Sequence, residues 1–192
     1  MPLILKKDEN NISIYIWKIQ ESLEELIELY PYIEFPKFKS EKRNLEALCT
    51  RILLYNHSKS LEISYSESGS PSLNNHQYIS VSHSGNLVCI AISNNTIGVD
   101  IEEISEKSLR SHSKFVNVNQ TNLNKNKTSL IWSIKESVFK YHKKGGIDFK
   151  RDVLLKDLIV KDRGILEVQF REEYLKAHYF KIENKYLVYV CK

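Results

Sequence analysis

Several things are missing from this chain, and each absence closes a class of function. No apolar run approaches the roughly 18 residues that a membrane-spanning helix needs, so a helical membrane protein is not expected. The opening MPLILKKDENN has neither the long apolar core nor the small-residue cleavage site of a secretory leader, and the expected compartment is therefore the cytoplasm. Cysteine is scarce. Cys49, Cys89 and Cys191 are odd in number and far apart, which excludes a disulfide framework and matches no zinc spacing. Each lies among apolar residues and reads as a small buried hydrophobe. No G-x-S-x-G surrounds Ser82-His83-Ser84, so a hydrolase elbow is excluded. No nucleic-acid recognition motif is present, and the aromatics fall in strand-core patterns. A strong charge of one sign is missing too. Against 24 acidic residues stand 28 basic ones, a net charge of +4, mild enough to suit a polyanionic ligand or an acidic protein partner without demanding one.

What is present is ordinary in bulk. The 192 residues, 42% hydrophobic and 27% charged, suffice for one good-sized domain or two small, closely packed halves. Leu3-Ile4-Leu5 and Ile12 to Trp17 flank the turn Asp8-Glu9-Asn10-Asn11 and read as a hairpin. Ser22 to Tyr30 reads as a helix, and Pro31 and Pro36 then interrupt the chain. A second helix is expected from Ser40, its cap, to about His57, with Leu45, Leu48, Ile52 and Tyr55 at helical spacing. Residues 61–77 are mixed and turn-rich around Gly69-Ser70-Pro71. Three strands come next: Tyr78 to Val81, Leu87 to Ser93 and Thr96 to Ile101. Residues 105–127 read as polar and irregular apart from Phe115-Val116. A helix from about Ser129 to His142 stops before Gly145-Gly146. A last strand group runs from Val153 to the C-terminus and includes Ile165 to Phe170, Ala177 to Ile182 and Tyr186 to Cys191. This order predicts an α+β fold in which each half packs a helix on a small antiparallel sheet.

Two stretches carry the chemistry. In Gly98-Val99-Asp100-Ile101-Glu102 the apolar and acidic residues alternate, so both carboxylates project from one face of a strand. Adjacent carboxylates repel, which costs stability unless a cation sits between them. Trp132 to Lys140 (WSIKESVFK) reads as helix and adds a third acid, Glu136, with Lys135 and Lys140 beside it. Three carboxylates with nearby ammonium groups suit a magnesium–polyphosphate site, with hard oxygen ligands for the ion and positive charge for the phosphates. On that helix Leu130, Ile134, Val138 and Tyr141 form the expected core face, while Trp132, Glu136 and Lys140 share another. A plain surface ion pair between Glu136 and Lys140 is the bland alternative.

Together with Ile79 to Gly85 (ISVSHSG), these segments resemble the signature motifs of 4′-phosphopantetheinyl transferases in order and spacing, over roughly residues 40–155. The single-chain, pseudo-dimeric, surfactin-synthetase-activating type is the most similar. The resemblance implies transfer of the phosphopantetheine arm of coenzyme A to a serine of an apo acyl or peptidyl carrier protein, an acidic partner, with release of 3′,5′-ADP. It implies one compact unit of two similar halves, 1–95 and 96–192, with the active site between them, and a monomer without nucleic-acid or membrane partners. Asp100, Glu102 and Glu136 become the magnesium ligands, with manganese as a possible substitute. Glu136 becomes the base for the carrier serine, and Lys140 and His83 join it as catalytic residues. The implied coenzyme contacts are Arg43 or Lys42, Gly69, Pro71, Ser82, His83, Lys135 and Lys140. Two departures stand out: Ser70 where the family carries lysine, and Asn119-Gln120 where it often carries glutamate, on a segment bordering the carrier surface. They leave a second reading open, that of a non-catalytic relative which binds coenzyme A or a carrier protein.

Overall fold

The computed structural model describes residues 3–9 and 11–192. The chain divides into two units, Met1–Asn94 and Asn95–Lys192, each a mixture of helix and antiparallel sheet.

The first unit begins with the expected hairpin, β1 (Leu3–Glu9) and β2 (Ile12–Lys18). Glu9 pairs with Ile12, so the strands run closer to the turn than the sequence suggests; Asn11 takes φ 62°, and Asn10 lies outside the described residues. Helix α1 (Leu23–Leu29) starts at Ser22, which makes a full capping box with Glu25. Helix α2 (Glu41–His57) starts at Ser40, whose hydroxyl accepts from Arg43 N–H. The turn-rich stretch holds two short paired strands, β3 (Ile63–Tyr65) and β4 (Pro71–Leu73). β5 (Tyr78–Ser84) and β6 (Leu87–Ser93) complete a four-stranded sheet of order β1-β2-β6-β5. β5 outlasts the expected end at Val81, because the two-residue turn Gly85-Asn86, with Gly85 at φ 62°, keeps Ser82, His83 and Ser84 paired with β6. His83 therefore stands on a strand. Leu48, Ile52 and Leu53 of α2 form the core of this unit with Ile79, Val88, Ile90 and Ile92.

The second unit is a five-stranded antiparallel sheet of order β7-β11-β10-β9-β8. Its strands are β7 (Ile97–Glu103), β8 (Val153–Leu155), β9 (Arg163–Phe170), β10 (Glu173–Ile182) and β11 (Lys185–Cys191). The stretch expected to be irregular contains α3 (Glu106–Arg110) and a 3₁₀ turn at residues 112–114. Their docking is polar and hidden from sequence periodicity: Ser108 Oγ lies 3.0 Å from Thr128 Oγ1 and 2.8 Å from Ser129 Oγ of the long helix. That helix, α4 (Lys125–His142), begins four residues before the expected Ser129, since Asn124 supplies the cap. α4 lies across β7 and β11. Leu130, Ile131, Ile134 and Val138 face Val168, Leu175, Ala177, Tyr186 and Val188, and all of these are buried. Cys49 and Cys89 are buried and Cys191 is half-buried, and all three stand outside any disulfide. Among the described residues no helix is long and apolar enough to cross a membrane.

Candidate functional site

The acidic residues are set by the packing of α4 on β7. Strand alternation points Gly98, Asp100 and Glu102 to the same face of β7, and Gly98 lets the helix backbone come in. A Cβ at Gly98 would stand 2.0 Å from the Ser137 carbonyl oxygen and 2.5 Å from the Tyr141 nitrogen. Ser133 and Ser137, fully buried on α4, are small enough for the same approach. At that distance Ser133 Oγ donates to Asp100 Oδ2 at 2.9 Å, and Lys140 Nζ to Asp100 Oδ1 at 2.7 Å. Ser137 Oγ donates back to Ser133 O and across to Val188 O of β11. Ser129, Ser133 and Ser137 recur every four residues, a small polar stripe present in the sequence but masked there by the leucine–isoleucine face.

Glu102 and Glu136 fall within electrostatic reach of each other and of Asp100. Burial, then the Asp100 charge, pushes the Glu102 carboxyl up to about 7; Glu136 adds to the shift, and Lys107 and Lys140 oppose it. Burial and Asp100 raise Glu136 as well, with Lys140 opposing. Glu102 also borders a cavity of about 460 Å³ walled by Phe115, Trp132 and Phe149 and edged by Lys107 and Lys114. Trp132 packs among aromatic rings, its centroid 5.0 Å from that of Phe115 and 5.4 Å from that of Phe149. Among the described residues no three His, Cys, Asp or Glu side chains are drawn together as ligands of one ion. The donor set nonetheless fits a hard dication in kind: three carboxylates, two of them held above their ordinary range by burial and like charge. Lys140 is the cation that Asp100 holds in this structure.

The first unit gathers a second group of candidates. Arg43, Gly69, Pro71 and His83 line one open cavity of about 570 Å³. The guanidinium of Arg43 lies 5.2 Å from the centre of the Phe38 ring. Lys42 is largely exposed, 3.8 Å from Glu46. Two further residues in this cavity, Glu46 and Arg51, escape a motif-based reading of the sequence. Arg51 falls on the α2 stripe that runs through Arg43 and Ala47 at spacing four, with Glu46 beside it, and that spacing is the available signal. Arg51 is half-buried, and its guanidinium donates to Ala47 O at 3.3 Å. Ser70 is not among the cavity residues although its neighbours Gly69 and Pro71 are.

Two expectations need correction. Lys135 is no coenzyme contact here. It is completely buried, and its ammonium donates to Asn117 Oδ1 at 3.0 Å, to Val153 O at 2.7 Å and to Phe149 O. Burial pushes it down to about 7, yet three acceptors match the three N–H groups of the charged form. Ser82 is buried on the opposite face of β5 from His83, so the two do not share the cavity. Gln120, on the segment that the resemblance sets beside the carrier surface, faces inward. It is buried, donating to Leu155 O and Lys156 O and accepting from Leu158 N–H.

Compared with curated proteins, the chain finds no match. A family model, that of the 4′-phosphopantetheinyl transferase superfamily, matches residues 96–191, half of the chain and the whole run from β7 to β11. That stretch carries Gly98, Asp100, Glu102, Ser133, Glu136 and Lys140 in the packing described above, and the chain belongs to the 4′-phosphopantetheinyl transferase superfamily.

Proposed function

We propose that the protein moves 4′-phosphopantetheine from coenzyme A to the serine hydroxyl of an apo acyl or peptidyl carrier protein, releasing 3′,5′-ADP, and that it is of the single-chain type with two similar halves. The observation that carries this reading is the facing of Asp100 and Glu102 on β7 by Glu136 and Lys140 on α4. Burial alone would not collect three acids there, since each ionised neighbour raises the cost of the next. Asp100, Glu102 and Glu136 would hold magnesium, or manganese in its place. When bound, the ion would neutralise the coenzyme's pyrophosphate and stabilise charge on the departing 3′,5′-ADP. Glu136, raised by burial and Asp100, is suited to accept the serine proton. Lys140 is suited to a phosphate oxygen, exchanging one anionic partner, Asp100, for another. Arg43 and His83 would take coenzyme phosphates, with Gly69 and Pro71 forming the wall behind them. Lys42 is placed for a weaker, solvent-screened contribution.

The non-catalytic reading loses one of its two supports, because Gln120 is occupied in bracing the Leu155–Leu158 segment. The test is direct. The protein is incubated with coenzyme A, magnesium and a panel of apo carrier proteins, and the carriers are weighed by mass spectrometry. A phosphopantetheine mass gain on at least one carrier is expected. Binding of coenzyme A with no gain on any carrier would favour the non-catalytic relative.

A further inference from the structure

Glu46 is the one described side chain with a fully buried polar atom that makes no hydrogen bond. It sits on the first unit's long helix, 8% exposed, and opens onto the same cavity as Arg43 and His83. A buried carboxylate oxygen without a donor is expensive, and if the cavity takes phosphates, as proposed above, it would also repel the ligand. Its surroundings supply one remedy. Glu46 Oε1 lies 3.3 Å from His83 Nδ1, within ion-pair range but out of line for a hydrogen bond. The other cation near it, Lys42, is 3.8 Å away with 64% of its side chain exposed, and so is held loosely. Arg43 and Arg51, from the same helix, and Tyr65, from β3, complete the charged and titratable lining of the cavity. Across β5, alternation places His83 on the α2-facing side with Ile79 and Val81, so its ring is brought to Glu46 by strand register.

We propose that Glu46 is a positioning residue for His83: it takes the ring's Nδ1–H and thereby presents Nε2–H to a phosphate of the nucleotide ligand. Glu46 accepts one proton-bearing nitrogen, the ligand phosphate accepts the other, and the imidazolium lies between two anions. A small rotation of the ring, 54% of whose side-chain surface is open to solvent, aligns this bond in the free protein, before any ligand arrives. This accounts for an acid in an anion-binding cavity: its charge is spent on the histidine and not on the ligand. The inference rests on the transferase reading only for the identity of the phosphate.

The experiment combines two readouts, one independent of catalysis. Long-range ¹H–¹⁵N spectra of the free, ¹⁵N-labelled protein report the two ring nitrogens of His83. Calorimetry with coenzyme A, without carrier protein, reports affinity. In wild type His83 Nδ1 carries a proton and shows a hydrogen-bonded shift, and Glu46→Gln, which keeps the shape and removes the charge, loses that shift. Glu46→Gln also weakens coenzyme A binding on the order of tenfold. In a His83→Gln background the same change has little further effect, and in turnover assays the loss falls on the coenzyme A KM and not on kcat. An unprotonated Nδ1 in wild type overturns the proposal, and that measurement needs no variant to fold. An unchanged His83 signal in Glu46→Gln, or an equal loss of affinity with and without His83, overturns it too. If the His83 signal responds but wild type does not bind coenzyme A, the pairing stands and the transferase reading falls.

Discussion

The three carboxylates that read alike in sequence are unequal as residues. Asp100 is nearly fully buried, and its oxygens accept from Ser133 and Lys140. Glu102 carries the cost of its own burial and of two acidic neighbours. Its folded carboxyl titrates at about 7 against an ordinary 4.5. A raised acid is destabilising when ionised, so the cost is fully present above about 7 and gone below 4.5. Glu102→Gln is therefore expected to stabilise the metal-free protein at pH 8, by about 1–2 kcal/mol after allowing for solvent screening, or roughly 3–6 °C in Tm. The gain should fade as pH falls through that window. Asp100→Ala should do the opposite, losing about 1–3 kcal/mol by leaving Lys140 and Ser133 without their acceptor. Thermal melts of both variants in EDTA at pH 8 and pH 5 check this. Equal effects of the two substitutions would mean that the acids share one environment.

At the scale of elements, the site exists because one helix can lie against one strand without a side chain between them. Gly98→Ala would place a methyl group against the backbone of α4, which has no rotamer to give way. Overpacking of this kind costs about 1–3 kcal/mol, and it lifts α4 from β7. The expected outcome is near-complete loss of transfer with a folded, less stable protein; activity by mass spectrometry and stability by urea titration separate the two. Lys135 is the second such element-level device, tying α4 to Asn117, Phe149 and Val153. Lys135→Met leaves buried carbonyls unpaired and is expected to cost about 2–4 kcal/mol. Coenzyme A affinity per folded molecule should stay unchanged, as calorimetry on the folded fraction would show. A selective loss of affinity would return Lys135 to the ligand.

For the whole molecule, the balance of charge makes the ligand chemistry measurable. Excess EDTA should abolish transfer and magnesium should restore it. Full activity in EDTA would remove Asp100, Glu102 and Glu136 from the role of metal ligands. Raising salt from about 50 to 500 mM should increase the coenzyme A KM roughly three- to tenfold, because in the proposed complex Arg43, Lys42 and His83 would act from exposed positions. The order of elements across both units is legible from periodicity and caps: Ser22 and Ser40 open α1 and α2 where their hydroxyls can serve the first turn. Helix α3 is not legible, because it is short and its docking runs through hydroxyls at Ser108, Thr128 and Ser129 and not through an apolar stripe.

By itself the sequence determined which chemistry was possible. Alternation along Gly98 to Glu102 put two acids on one face, and the spacing of Glu136 and Lys140 put an acid and a base on one side of a helix. Those are properties of local backbone geometry, which the chain carries wherever it folds. Tertiary structure alone decided which of these groups meet. A lysine next to the core residue Ile134 can point to solvent or inward, and only the packing of α4 turned Lys135 to three carbonyl oxygens and Lys140 to Asp100. Likewise, nothing in the spacing of Glu46 and His83 links them. They approach because a helix and a strand far apart in sequence are packed on one core, and long-range contact of that kind leaves no periodic trace.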